Sequence, residues 1–248
     1  MPIMKHILAV FARLAPVLIS PAPMLAADNV PVASRPNIVI ILADDLGYGD
    51  LGCYGHPAIR TPNLDRMAAE GMRFTDFYAA ANVCTPSRAA LLTGRLPIRS
   101  GMCGPTDVLF PDSAGGLPAS EITIAQALKT RGYATGMVGK WHLGHLPPYL
   151  PTSHGFDSYF GLPYSNDMDR SDSFPKDGYE AYRHPKSEYW RAPLIRNLSE
   201  VERSPDQAQL TRRYTEEAVK FIREHKRGPF FFYFAHTFPH VPLFASDK

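Results

Sequence analysis

Apolar runs and stretches of helical periodicity alternate along most of this chain. From Asn37 to Ala43 it reads N-I-V-I-I-L-A, a β-branched run that predicts a central strand of a parallel sheet, buried on both faces. The run stops at Asp44-Asp45, ahead of the glycine-rich G-Y-G-D-L-G. Thr61 as N-cap, Pro62 at the first position and Gly71 as the stop predict a helix over Pro62–Glu70. A short strand is expected around Arg73 to Tyr78. Cys84-Thr85-Pro86-Ser87-Arg88 then opens a helix that runs to about Thr93 and halts at Gly94. Ser120 is expected to cap a helix that pairs Ile124 with Leu128 and ends at Gly132, with Lys129 and Arg131 well placed in its last turn. Tyr133 to Val138 reads as a strand leading into G-K-W-H-L-G. From Pro147 to Pro205 the periodicity disappears, which predicts a long excursion of loops over one face. A final helix, about Gln207 to His225, carries the stripe Leu210, Tyr214, Ala218, Phe221 and Ile222. It delivers the chain to a buried strand, P-F-F-F-Y-F-A from Pro229. Strands alternating with helices predict an α/β fold with a largely parallel sheet flanked by helices.

Composition narrows the class. With 248 residues, 45% hydrophobic and 20% charged, the chain can bury a sizeable core, and disorder, collagen and coiled coil are excluded. Its 24 prolines are roughly twice the usual share and favour turns over long helices. A formal net charge of +2 gives no footing for a nucleic-acid partner. The basic pairs Arg212-Arg213 and Lys226-Arg227 sit beside Glu216, Glu217 and Glu224 and read as solvated helix faces.

The N-terminus adds a compartment. Residues 1–27 carry Lys5 and Arg13, no acid, and an apolar run ending in the small residues Ala26-Ala27. This is the pattern of a signal peptide cut near Ala27, followed by a proline-rich linker over residues 28–36. Pro16, Pro21 and Pro23 interrupt the run, so no stable membrane span is expected. The chain is therefore expected to be secreted or periplasmic, or lysosomal in a eukaryote. Three cysteines are too few for a disulfide scaffold. With Cys84 set aside, a Cys53–Cys103 pair is open in an oxidising compartment.

Sites in open α/β sheets lie beyond the carboxyl ends of strands, and three polar sets fall there: Asp44-Asp45, Lys140 with His142, and His236 with His240. Each is ambiguous alone. The aspartates fit a turn as well as a Ca²⁺ or Mg²⁺ site. The two-residue spacing of Lys140 and His142 puts both on one side of an extended segment. Cys84 is more informative, because it precedes a helix start whose free N–H groups favour an anion. Arg88, four residues on, shares its helix face. A reactive thiol and a buried structural cysteine both remain open at this point.

The motifs together carry a resemblance. C-T-P-S-R-A-A-L-L-T-G from Cys84 is similar to the C-x-P-S-R…L-T-G signature of type I sulfatases. G-Y-A-T-G-M-V-G-K-W-H-L-G from Gly132 resembles that family's second signature, and R-P-N-I-V-I-I-L-A-D-D-L-G-Y-G-D its opening strand and metal-binding carboxylates. G-L-P-Y-S-N-D from Gly161 and F-F-F-Y-F-A-H-T-F-P-H from Phe230 resemble its arylsulfatase A-like branch. The likeness spans roughly Arg35 to Lys248.

That resemblance implies an alkaline-phosphatase-like fold and a sulfuric ester hydrolase. Cys84 would be oxidised to formylglycine (3-oxoalanine) by a formylglycine-generating enzyme. One hydroxyl of the hydrated aldehyde would attack sulfur, and the second would expel sulfate. By match, Asp44, Asp45 and the modified Cys84 would hold a divalent cation, Ca²⁺ or Mg²⁺. Arg88 would fix the diol, and His142 would orient or deprotonate it. Lys140, Ser165 and His240 would bind the sulfate, His240 also protonating the leaving oxygen. The substrate would be a sulfated small molecule, glycan or glycolipid.

The family's later Asp-Asn metal ligands, its second sulfate-binding lysine and its C-terminal domain have no counterpart before Lys248. Residues 37–248 thus read as an incomplete, N-terminal part of a sulfatase catalytic domain, weakly active or inactive alone and exposing an apolar edge. Three other readings stand beside this one. They are a phosphonate or phosphate monoester hydrolase of the same superfamily, a non-catalytic truncated paralogue, and a plain cysteine hydrolase using Cys84 with His142 or His240.

Overall fold

The computed structural model describes residues 35–104 and 108–247. The expected signal peptide and nearly all of the linker lie outside the described residues. In chain order the elements are β1 (Ile38–Ala43), α1 (Pro62–Glu70), α2 (Cys84–Thr93), α3 (Pro97–Ser100), α4 (Ile124–Lys129), β2 (Ala134–Gly139), β3 (Ser158–Gly161), α5 (Glu180–Arg183), β4 (Pro193–Arg196), β5 (Ser199–Arg203), α6 (Leu210–His225) and β6 (Phe230–His236). The six strands form one sheet in the order β1-β6-β2-β3-β4-β5. The pairs β1–β6, β6–β2 and β2–β3 are parallel; β3–β4 and β4–β5 are antiparallel. No helix among the described residues is long and apolar enough to cross a membrane.

β6 shows why an unbroken apolar run suits this sheet. Successive side chains point to opposite faces. Phe231, Tyr233 and Ala235 join one core with Ala89 and Leu92 of α2 and Ala125 of α4. Phe230 and Phe232 join a second core with Leu210, Tyr214, Ala218 and Phe221 of α6. The stripe read from the sequence is therefore the face α6 buries, Ile222 being its half-buried flank. Each such fully buried aromatic contributes about 1.5–3 kcal/mol.

Several expectations are corrected. β1 is not a strand covered on both faces. Among the described residues it is paired only with β6, and Val39 and Ile41 are 46% and 63% exposed, while Ile38, Ile40 and Leu42 pack on the first core. Residues 73–78 form no strand, because among the described residues no neighbouring strand meets them. Their carbonyls are used by side chains instead, the Tyr54 hydroxyl donating to Phe74 O at 2.7 Å and the Tyr48 hydroxyl to Thr75 O at 3.4 Å. Thr61 precedes α1 as expected but its hydroxyl does not cap it; it accepts from Gly52 N and donates to Asp65 Oδ1. The α4 cap is Thr123 rather than Ser120, in a reciprocal capping box with Gln126. The proline-rich stretch from Pro147 to Pro205 is no mere loop excursion, since it supplies β3, β4 and β5 in segments too short to show a period. Cys53, Cys84 and Cys103 are all free thiols, so the pairing left open for Cys53 and Cys103 is not made.

Candidate active site

Register brings the polar sets together. Ala43 lies beside His236, and Gly139 beside Ala235, so β1, β6 and β2 end at one level and release Asp44, Thr237 and Lys140 side by side. Gly139 makes the close approach at the end of β2 feasible. Its φ is +97°, and a Cβ there would stand 1.8 Å from Ala235 O. Lys140 N donates to that same carbonyl at 2.8 Å, and the chain runs on beside β3's continuation, Trp141 N and His142 N donating to Leu162 O and Pro163 O. From the other side α2 brings Cys84 as its first residue and Arg88 one turn on.

Asp44 is the hub. Its Oδ1 lies 2.9 Å from Arg88 Nη2 and its Oδ2 2.5 Å from Lys140 Nζ, all three side chains being buried. Arg88 Nη1 also donates to Lys140 O at 2.5 Å, tying α2 to the end of β2. The Lys140 ammonium has three donors, and all are placed: on Asp44, on Ser165 Oγ at 3.0 Å and on Cys84 Sγ at 3.6 Å. Burial would raise the Asp44 carboxyl, but Arg88, then Lys140, and more weakly His240 outweigh it and hold it at about 2. One carboxylate against two cations leaves one formal positive charge uncompensated beside Cys84. Unpaired buried charge is costly, and the N-terminus of α2 adds to the positive potential, so the cluster is built to receive an anion. A cavity of ≈ 280 Å³ opens onto it, lined among others by Asp44, Asp45, Asn82, Cys84, Ser87 and Arg88.

His142 stands apart from the Lys140 direction. Its φ is +61°, so the two side chains do not share one side of an extended segment as expected. The Lys140 ammonium goes to Asp44, whereas His142 Nε2 meets Leu109 O at 2.8 Å. Burial first, then the charges of Lys140 and Arg88, push the imidazole well below its ordinary value, so it is neutral. Its Nδ1 is buried and has no hydrogen-bond partner among the described residues. His240 Nδ1 donates to Val241 O at 2.6 Å, and its Nε2 faces Asp45 Oδ2 at 3.7 Å.

Asp44, Asp45 and Cys84, the metal ligands expected from the sequence, line one cavity but are not arranged as a ready cation site. Both Asp44 oxygens are engaged by cations, Cys84 faces an ammonium, and the Asp45 side chain is 66% exposed, 3.7 Å from His240. Among the described residues no group of three His, Cys, Asp or Glu is arranged to hold a metal ion. With both Asp44 oxygens on protein cations, the described residues do not make a cation cage as they stand. Two participants were missed by the sequence reading. Tyr233, buried in β6, faces Arg88: burial acts against the guanidinium's charge, and Tyr233 and then Asp44 outweigh it. Thr85 bonds the His142 and Leu109 backbones. A lone hydroxyl inside F-F-F-Y-F-A was the available signal for the first; nothing in the sequence pointed to Leu109 as the partner of the second.

Fold and site together define an α/β protein whose parallel strands end at a buried, cation-rich pocket around a cysteine at a helix start. A sequence model of the Sulfatase family matches residues 36–248, and the chain belongs to that family. It is 48% identical to human arylsulfatase A over 234 residues, covering 90% of this chain and 45% of that protein. Rat arylsulfatase G is 47% identical over 227 residues, covering 85% and 42%. Among solved structures, that of Ps i-CgsB superposes with a TM-score of 0.69 at 37% identity, covering 84% of this chain and 46% of the other. The chain thus spans about half the length of the curated relatives it matches.

Proposed function

We propose that this chain carries the nucleophile position and the anion-holding cations of a sulfuric ester hydrolase of the arylsulfatase type, which cleaves a sulfate ester to an alcohol and inorganic sulfate. One observation carries the reading: Cys84, the first residue of α2, lies 3.6 Å from the ammonium of a buried lysine whose cluster holds one positive charge too many. When Cys84 is converted to formylglycine, the hydrated aldehyde supplies one hydroxyl to attack sulfur and a second to drive sulfate off.

The chain's own residues do the rest. Asp44 fixes Arg88 and Lys140, so that both cations are in place before a substrate arrives and need no reorganisation as negative charge develops. Ser165 orients the Lys140 ammonium toward residue 84. Neutral His142 offers Nδ1 as the proton acceptor. His240, braced by Val241 O, returns a proton to the leaving oxygen. The substrate belongs to the sulfated small molecules, glycans or glycolipids, in keeping with a relative solved in complex with k-i-k-neocarrahexaose. Export behind residues 1–27 and maturation by a formylglycine-generating enzyme complete the reading.

The test is intact mass with fragmentation around Cys84 on protein from an exporting host, followed by turnover of paired aryl sulfate and aryl phosphate substrates. Formylglycine at position 84 with preference for the sulfate supports the reading. An unmodified thiol, or preference for the phosphate, sinks it.

A further inference from the structure

The hydroxyl next to residue 84 closes a circuit that the catalytic reading above does not use. Thr85 is 2% exposed. Its Oγ1 donates to His142 O at 3.0 Å and accepts from Leu109 N at 3.2 Å. Leu109 O in turn meets the Nε2 of His142 at 2.8 Å. Threonine thus holds the backbone of the histidine and, through the N–H and C=O of one leucine residue, its ring. His142 N donates to Pro163 O at 3.1 Å, so every polar atom of His142 is fixed except Nδ1. A carbonyl oxygen can only accept. Leu109 therefore requires the proton on Nε2 and leaves the lone pair on Nδ1. The left-handed backbone at His142, φ +61°, is the kind of unfavourable conformation that persists only where its surroundings over-determine it.

We propose that Thr85 is a positioning residue: through the closed ring Thr85–Leu109–His142 its hydroxyl sets the tautomer and orientation of His142, keeping Nδ1 free as an acceptor. The ring joins the first turn of α2 to the loop after β2, so the histidine is placed relative to residue 84 by the neighbour of residue 84 itself. Its catalytic meaning rests on the sulfatase reading; its geometric content does not.

The experiment separates the two. The full chain is labelled with ¹⁵N-histidine, and the His142 ring signals are assigned by their loss in His142→Gln. The unaltered chain is expected to show Nε2 protonated and Nδ1 bare. In Thr85→Val, a near-isostere that can neither donate nor accept, the pattern is expected to shift toward tautomer exchange. Thr85→Ser restores the fixed pattern. Where the chain turns over an aryl sulfate, Thr85→Val lowers kcat about 10-fold with KM little changed, as loss of a group that orients a functional histidine does. A Thr85→Val chain that melts cooperatively yet keeps the unaltered His142 nitrogen pattern overturns the proposal. If Thr85→Val does not fold, amide exchange in the unaltered chain decides instead. A Leu109 N–H that exchanges as fast as a free amide overturns the proposal, and a protected one upholds it. Absence of turnover in the unaltered chain counts against the sulfatase reading alone.

Discussion

β1 and β6 are neighbours, parallel and in register from Ile38↔Phe231 to Ala43↔His236, and both are written as unbroken apolar runs. Their surroundings differ. β6 lies between two strands and under helices on both faces, with Phe231, Phe232 and Tyr233 all at 1% exposure or less. β1 is the sheet edge, and its Ile41 is 63% exposed. A continuous apolar run therefore identifies a strand but not its coverage, which depends on how many elements reach that side of the sheet. Past α1, Met72, Phe77 and Tyr78 are also each more than 70% exposed.

Substitution separates the two strands most sharply. Phe232→Ala should cost about 3–5 kcal/mol, since the lost side chain leaves a cavity against Phe221 and Val138. Ile41→Ala should change stability by no more than about 0.5 kcal/mol. Urea unfolding of both variants measures this, and equal costs would mean that β1 is covered in solution.

The ends of the same strand repeat the contrast one residue apart. Asp44 is buried between two cations, whereas Asp45 is exposed. Asp44→Asn should destabilise by about 3 kcal/mol, because Arg88 and Lys140 are left buried without a counter-charge. Asp45→Asn should move stability by less than about 0.5 kcal/mol. The pH dependence follows from the same carboxyl. Its folded value of about 2 lies below its ordinary 3.8, so its contribution is fully present above pH 3.8 and is lost as pH falls through 2. The loss amounts to about 2 kcal/mol. An acid-unfolding curve that Asp44→Asn does not flatten in that window would show that the carboxylate is not held by its cations.

These contrasts also show what could be read from the sequence. The α/β class, the α6 stripe, the β6 run and the start of α2 at Cys84 were legible because each is a local pattern of period or capping. Asp44, Arg88, Lys140 and Ser165, singled out from the motifs, lie together in the structure, where Asp44 meets two cations. No local signal reports which charge a carboxylate will meet across the sheet. β3, β4 and β5 were hidden for a different reason. Strands of four or five residues, bounded by prolines and turns, are too short for alternation to rise above the surrounding noise.

The smallest expected effect tests the counter-ion assignment directly. A divalent cation that binds only the folded chain raises its stability by RT ln(1 + [L]/Kd), about 0.4 kcal/mol when cation and Kd are both near 1 mM. To bind tightly it would have to displace Lys140 from Oδ2 and Arg88 from Oδ1, stranding two buried cations, and would gain only exposed Asp45 as a second carboxylate. Thermal unfolding in ~1 mM Ca²⁺ or Mg²⁺ should therefore match the cation-free curve to within about a degree for the full chain, and the same should hold for Asp45→Asn. A rise of several degrees that Asp44→Asn abolishes would show the opposite. It would mean that Asp44 exchanges its two protein cations for a metal ion, and the rim of the β1 edge would then be a cation site with Arg88 and Lys140 released toward the substrate.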